Sequence, residues 1–353
     1  VDAAVTGGVT VRDTGRRWLR LTASVLVGAL AGGGLVATSG TAGGCATGVL
    51  GCAGPGELVE VAIGDLHPTQ AVLGHDEVHY KLGRYRADRD EVNKRFDDWC
   101  EANGQGGAVR AARWARLDDP TSFTCQVPVG RETPATLAEV KTVVVGPGGV
   151  AYLTDGHHSL TALRESPDGG DDLRIRVRVA ANYGTLDPAT FWARMREEHR
   201  VWLRDAEDRP IGVDRLPAHL GLAWLADDPY RGLVFFTRDV GYRVPDDAPE
   251  FLEFYWGSWL RREHRLDRCD LADLAAYRSA VKRASKAMSD LAADDPVGAG
   301  LSAGDLGRMK HWNDGKKAGA GEFGRLSEPL TSPEPGKLAY ALDHRGGVAG
   351  CRS

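Results

Sequence analysis

The sequence predicts an α+β fold, a small α/β domain followed by an all-helical C-terminal extension. Three observations predict it. Strand-length runs rich in branched residues occur at Leu58–Ile63 and on both sides of a Gly-Pro-Gly-Gly turn at residues 146–149. Leu173–Val179 alternates arginine with apolar residues, the period of a half-buried strand. From Asp187 onward, aromatic residues recur at helical spacing instead. With 353 residues, 42% hydrophobic and 26% charged, the chain can bury a full core, and wholesale disorder is excluded. A net charge of −5 gives no global field for duplex DNA, although a local basic stripe is compatible with it.

In chain order, residues 1–52 read as an export signal and a Gly-rich leader. Arg12, Arg16, Arg17 and Arg20 precede an apolar run from Leu21 to Ala37, and small residues follow. Cys45 and Cys52 are the alternative lipid-attachment positions within this leader, and the signal itself or such a lipid anchor is the only expected route to a membrane. Residues 53–182 are the expected α/β domain. Leu58–Ile63 forms a strand, and Asp65–Gln70 turns it at Pro68. Helices are expected over Val72–Tyr85 and Asp88–Cys100. A hairpin spans Lys141–Leu153, and a short helix opens after Thr154. The extension, residues 183–291, is expected to contain helices around Phe191–His199, Leu216–Leu225, Phe251–Leu260 and Asp270–Leu291. Residues 292–353 lose periodicity and read as a low-complexity tail.

Export changes how the six cysteines read. In an oxidising compartment Cys100 and Cys125 are expected to pair across a loop of about 25 residues, worth roughly 3 kcal/mol. The spacings contain no zinc-binding pattern. Cys269 and Cys351 either pair or stay free.

The chemistry concentrates in Asp155-Gly156-His157-His158-Ser159, where a hairpin strand hands over to a helix. The start of a helix offers unpaired N–H groups and a positive dipole end, which favour an anion. Gly156 permits close backbone approach, and two imidazoles and the Ser159 hydroxyl add donors. Phosphate is the natural guest. Asp155 is positioned to cap the helix, to hold a divalent ion, or to orient an imidazole.

The Asp155–His158 box, downstream of Leu66-His67-Pro68-Thr69-Gln70, resembles the ParB/sulfiredoxin superfamily, and within it the ParB-like nuclease group. The resemblance covers about Leu58–Ala180, and Asp227–Arg231 and Glu253–Trp256 resemble that group's helical extension. It implies a small mixed-sheet domain whose Gly-His-His-Arg type box binds nucleotide phosphates, with the Thr69–Gln70 segment bordering the same pocket. Ser159 stands where related partitioning proteins and kinases carry arginine, leaving Arg164, Arg174, Arg176 or Arg178 to compensate. No basic helix-turn-helix follows the box, which argues against chromosome partitioning. Gly156 occupies the reactive-cysteine position of sulfiredoxin-like members, which argues against peroxiredoxin repair. A kinase of a small hydroxyl acceptor needs a carboxylate base, which Asp65, Asp76, Glu77 or Asp155 would supply.

Other signals have plainer readings. His75 and His79 have the i, i+4 spacing of a zinc helix, but Asp76 stands where the protease motif needs glutamate, and an exposed helix face is expected. Arg174, Arg176 and Arg178 share a strand face that is either a phosphate track or a solvated face paired with Asp171 or Asp172. Trp192, Trp202, Trp224, Trp256 and Trp259 read as core rather than base-stacking platforms. Asp227-Asp228 reads as a turn before Pro229.

The expected function is binding of a nucleotide or other phosphate-containing ligand, with nucleic acid included, and phosphodiester hydrolysis as the first-ranked reaction. His157, His158 and Asp155 are the catalytic candidates. Gly156, Ser159, Gln70, Thr69 and Arg176 are the substrate contacts, and Asp155 is the ligand for Mg²⁺. Phosphoryl transfer from ATP or CTP and a non-catalytic binding module are the alternatives.

Overall fold

The computed structural model describes residues 50–267, 269–314, 322–346 and 351. The export signal and Gly-rich leader lie outside these residues, apart from the last three positions. The elements in chain order are β1 (Leu58–Ala62), β2 (Leu66–Pro68), β3 (Val72–Leu73), α1 (His75–Ala87), α2 (Lys94–Ala102), β4 (Ala108–Ala111) and β5 (Phe123–Cys125). They continue with α3 (Pro134–Leu137), β6 (Thr142–Val145), β7 (Ala151–Leu153), α4 (His157–Glu165), β8 (Arg174–Asn182), α5 (Pro188–Glu197) and β9 (Ala226–Asp227). The last are α6 (Pro229–Thr237), α7 (Leu252–Glu263), α8 (Leu274–Asp290), β10 (Pro296–Gly298), β11 (Leu301–Ser302), α9 (Glu322–Arg325) and α10 (Lys337–Arg345).

The main sheet is mixed, with order β1-β8-β6-β7-β2. The β1–β8 and β6–β7 pairs are antiparallel, whereas β8–β6 and β7–β2 are parallel. Pro68, which cannot donate to a ladder, sits on the edge strand β2. The alternation read in β8 is real: Ile175, Val177 and Val179 are buried, while the arginines between them are not. These residues join Val143, Val145 and Leu153 in a core with Leu160 and Leu163 of α4, Val78 of α1 and Phe96 of α2. The opposite face is covered where Val144 meets Phe191 and Met195 of α5. A second core forms among α6, α7, α8 and α10, around Trp256, Tyr277 and Leu338.

Several boundaries differ from expectation for local reasons. Asp88 adopts a left-handed conformation (φ 47°) that stops α1, and Asn93 then caps α2 by accepting from Arg95 N–H. No helix forms at 216–225: Leu220 and Leu225 are buried, but Gly221 has φ 127°, which a helix cannot hold. The segment read as a low-complexity tail carries β10, β11, α9 and α10, and Leu306, Phe323 and Leu338 from it are core residues. Its small and charged residues mask an apolar stripe that α10 presents to the second core.

Cys100–Cys125 and Cys269–Cys351 are disulfides, spanning 25 and 82 positions. Cys52 is also disulfide-bonded, which argues against its being a lipid-attachment residue. Cys45 lies outside the described residues. Among the described residues no helix is long and apolar enough to cross a membrane.

Candidate functional site

The box sits where the sequence places it, between β7 and α4, but its parts divide into two groups. Gly156, not Asp155, is the residue before the helix, with φ 92°, a conformation that favours glycine. A Cβ here would also lie 2.5 Å from Cγ and Cδ of Lys141, so Gly156 is needed for both its backbone shape and its closeness to that side chain. No side chain caps α4. The N–H groups of His157, His158 and Ser159, in the first turn, have no intrahelical acceptor and lie at the positive end of the helix dipole.

Asp155 is exposed and ion-pairs with Lys141 (Nζ–Oδ2 3.7 Å), whose side chain is 19% exposed. Lys141 is a site residue that the sequence reading missed, although the hairpin contained the signal. Val143 pairs with Leu153, so counting outward sets Lys141 opposite Asp155. Glu250, just before α7, belongs to the same electrostatic neighbourhood. Partial desolvation, followed by the negative charge of Asp155, raises its carboxyl pKa, and Arg200 opposes that rise. No sequence pattern marks Glu250, because it reaches this neighbourhood only through the packing of the extension.

The two histidines are both committed to backbone hydrogen bonds. His157 and His158 are buried, at 3% and 8% exposure. Nε2 of His157 accepts from Thr69 N–H (3.2 Å), and Nε2 of His158 accepts from Gly74 N–H (3.1 Å). A backbone N–H can only donate, so each Nε2 is unprotonated and each ring is neutral. Desolvation pushes the pKa of His157 down to about 3. His158 also lies well below the usual imidazole value, through desolvation first and the positive charge of Arg231 second. In the ligand-free protein both imidazoles hold α4 against the β2–α1 segment.

Thr69 and Gln70 are likewise consumed internally. Thr69 Oγ1 donates to Leu153 O (2.7 Å) and Gln70 Nε2 to Val72 O (2.6 Å), with both residues buried. In the ligand-free protein these bonds tie the segment to β7 and to β3. Arg176 belongs elsewhere on the sheet, bound to Glu132 and the Asn103 carbonyl. Arg174 pairs with Glu60, and Arg164 pairs with Asp171 and Glu165, so neither replaces the missing box arginine.

Of the other carboxylates considered, Asp76 is gripped by Arg345 (2.8 and 2.9 Å) and Glu77 by Arg231 (3.0 Å). Asp65 is exposed, and its charge opposes the burial and the neighbouring His219 that lower the His67 pKa. Asp155 is the carboxylate left at the mouth of α4. His75 bonds the Leu225 carbonyl and His79 meets His344 of α10, so this helix face is partly covered rather than fully exposed. Among the described residues no group of three metal-ligating side chains forms. Asp228 caps α6, accepting from Tyr230 and Arg231 N–H, in agreement with the turn reading.

A protein-family model described as "Putative ParB-like nuclease" matches residues 59–262. Among solved structures, the crystal structure of protein Atu1540 from Agrobacterium tumefaciens is similar at 24% identity. That match covers 66% of this chain and 93% of that one, with a TM-score of 0.45. No curated protein matches the chain. The family match takes in the sheet, the Asp155–Ser159 box and the first helices of the extension, more than half of the sequence, and the chain belongs to the ParB-like nuclease family.

Proposed function

We propose that the chain binds a phosphate-bearing ligand, a nucleotide or a nucleic-acid phosphodiester, at the first turn of α4. The observation that carries this reading is the uncapped turn itself, whose first N–H groups have no intrahelical acceptor, with the Ser159 hydroxyl on it and Lys141 packed against Gly156. His157 and His158 serve the site by fixing the turn rather than by moving protons. Asp155, with Glu250 in its electrostatic neighbourhood, would hold a Mg²⁺ ion that a phosphate helps to bind. Such an ion would neutralise phosphate charge and supply Lewis-acid chemistry for hydrolysis of the ester. Lys141 would orient the phosphate, and Asp155 would hold the ion.

The bonding of both imidazoles to backbone favours a second reading, binding without cleavage. Export is part of the proposal, and the Cys100–Cys125 and Cys269–Cys351 bridges, with Cys52 also oxidised, suit an oxidising compartment. The test is incubation with single- and double-stranded DNA and RNA, and with ATP and CTP, in the presence of Mg²⁺. Polymer fragments that disappear in Asp155→Asn support hydrolysis. A thermal shift without product supports binding alone, and transfer of phosphate to a small acceptor would replace both readings with a kinase. Lys141→Ala is expected to weaken binding about tenfold. If Lys141→Ala and Ser159→Ala bind every phosphate ligand as tightly as the parent chain, the α4 assignment is wrong.

A further inference from the structure

A cleft of about 400 Å³ opens between the chain that follows α5, the helix α7 and the β10–β11 turn. Its size falls in the range of small-molecule sites. Trp202 forms part of its wall, fixed by stacking on Phe254 at 5.1 Å and by the edge of Tyr255 at 5.3 Å. Tyr255 is half-buried and also lines the cleft.

The charge around these rings is one-sided. Arg196, Arg204 and Arg262 line the cleft, with Asp208 the carboxylate among its lining residues. Arg204 lies over the Trp202 ring at 5.8 Å and pairs with Asp208 at 3.5 Å. Arg262 is oriented by the carbonyls of Ser258 and Val297, which hold its fork without neutralising its charge. The Arg196 side chain has no hydrogen-bond or ion-pair partner among the described residues and is exposed. Two unneutralised guanidiniums beside an aromatic wall are an unusual concentration in a chain of net charge −5. Guanidinium groups match phosphate geometry, and aromatic walls accept the faces of bases.

We propose that this cleft binds one nucleoside monophosphate unit, with its base against the half-buried Tyr255, which the buried core ring of Trp202 backs, and its phosphate on Arg196 and Arg262. Two hydrogen bonds link the cleft wall to the α4 turn: the backbone N–H of Trp202 donates to Thr69 O (2.9 Å), and Thr69 N–H donates to His157. The cleft is distinct from the α4 site in its residues and does not depend on what binds there.

Because the α4 turn would also attract a phosphate, the test uses the full disulfide-bonded chain carrying Lys141→Glu, which places a repulsive charge at that turn. Calorimetric titration compares uridine 5′-monophosphate, ribose 5-phosphate and inorganic phosphate. The expected result is at least tenfold preference for uridine monophosphate over ribose 5-phosphate, and a further loss of tenfold or more in Arg196→Ala/Arg262→Ala. Both arginines are exposed, so the double variant should fold, which circular dichroism checks. Equal affinity for the three ligands would overturn the proposal, as would unchanged affinity in the double variant. Absence of uridine monophosphate binding to the folded Lys141→Glu chain would overturn it as well.

Discussion

At the scale of single residues, the box shows how one motif divides between structure and chemistry. His157 and His158 have the side chains that a sequence reading selects first, yet their ring nitrogens are committed to Thr69 and Gly74. The consequence for pH is definite. An imidazole held at about 3 in the folded state and near 6.5 in the unfolded chain stabilises the fold fully above pH 6.5. That contribution is lost as pH falls from 6.5 toward the folded value, because the unfolded chain takes up the proton first. The slope approaches about 1.4 kcal/mol per pH unit for each such group. His157→Ala should cost about 2–4 kcal/mol at pH 7, by leaving Thr69 N–H unpaired and opening a cavity. The gap between His157→Ala and the parent chain, read from urea midpoints, should narrow steadily between pH 6.5 and 4. A gap independent of pH would mean that the imidazole titrates equally in both states.

Between residues and whole molecule, the elements show what local sequence can disclose. The β6–β7 hairpin, the α4 start and the β8 alternation were legible because each is set by short-range period and turn chemistry. Lys141 was legible in principle, through hairpin register, and Glu250 was not, because it approaches Asp155 from about a hundred residues away. Thr69 and Gln70 look free in sequence but are buried by the parallel β2–β7 pairing, which no local pattern reveals. The packing of α1 against α10 is similarly invisible beforehand. It depends on Gly83, where an added Cβ would come within 2.3 Å of the Tyr340 carbonyl oxygen. Gly83→Ala gains about 1 kcal/mol of helix propensity and must still push α10 away. The expected outcome is net destabilisation, with faster hydrogen exchange confined to α10 and the facing side of α1. Unchanged exchange would show that the helices tolerate a wider separation.

Across the whole molecule, the sheet domain and the helical extension are joined by buried charge as well as apolar packing. Glu77 of α1 meets Arg231 of α6, Arg231 faces Glu253 of α7, and Arg238 closes the chain on Glu253. This network backs His158, so the rigidity of the α4 turn depends partly on how the extension is held. Arg345 of α10 adds a parallel tie to Asp76, and Cys351, just beyond, anchors that end of the chain to Cys269. By the loop-closure argument, a crosslink across 82 positions contributes on the order of 4.5 kcal/mol. Cys351→Ser should therefore lower stability by several times the ordinary effect of a surface substitution, and protease cutting should begin between α9 and α10. If α10 secures the Asp76–Glu77 end of α1, that variant should also weaken phosphate binding at α4, although Cys351 contacts none of its residues. Normal phosphate affinity in Cys351→Ser would instead show that the sheet and α1 hold the turn on their own, with α10 contributing stability alone.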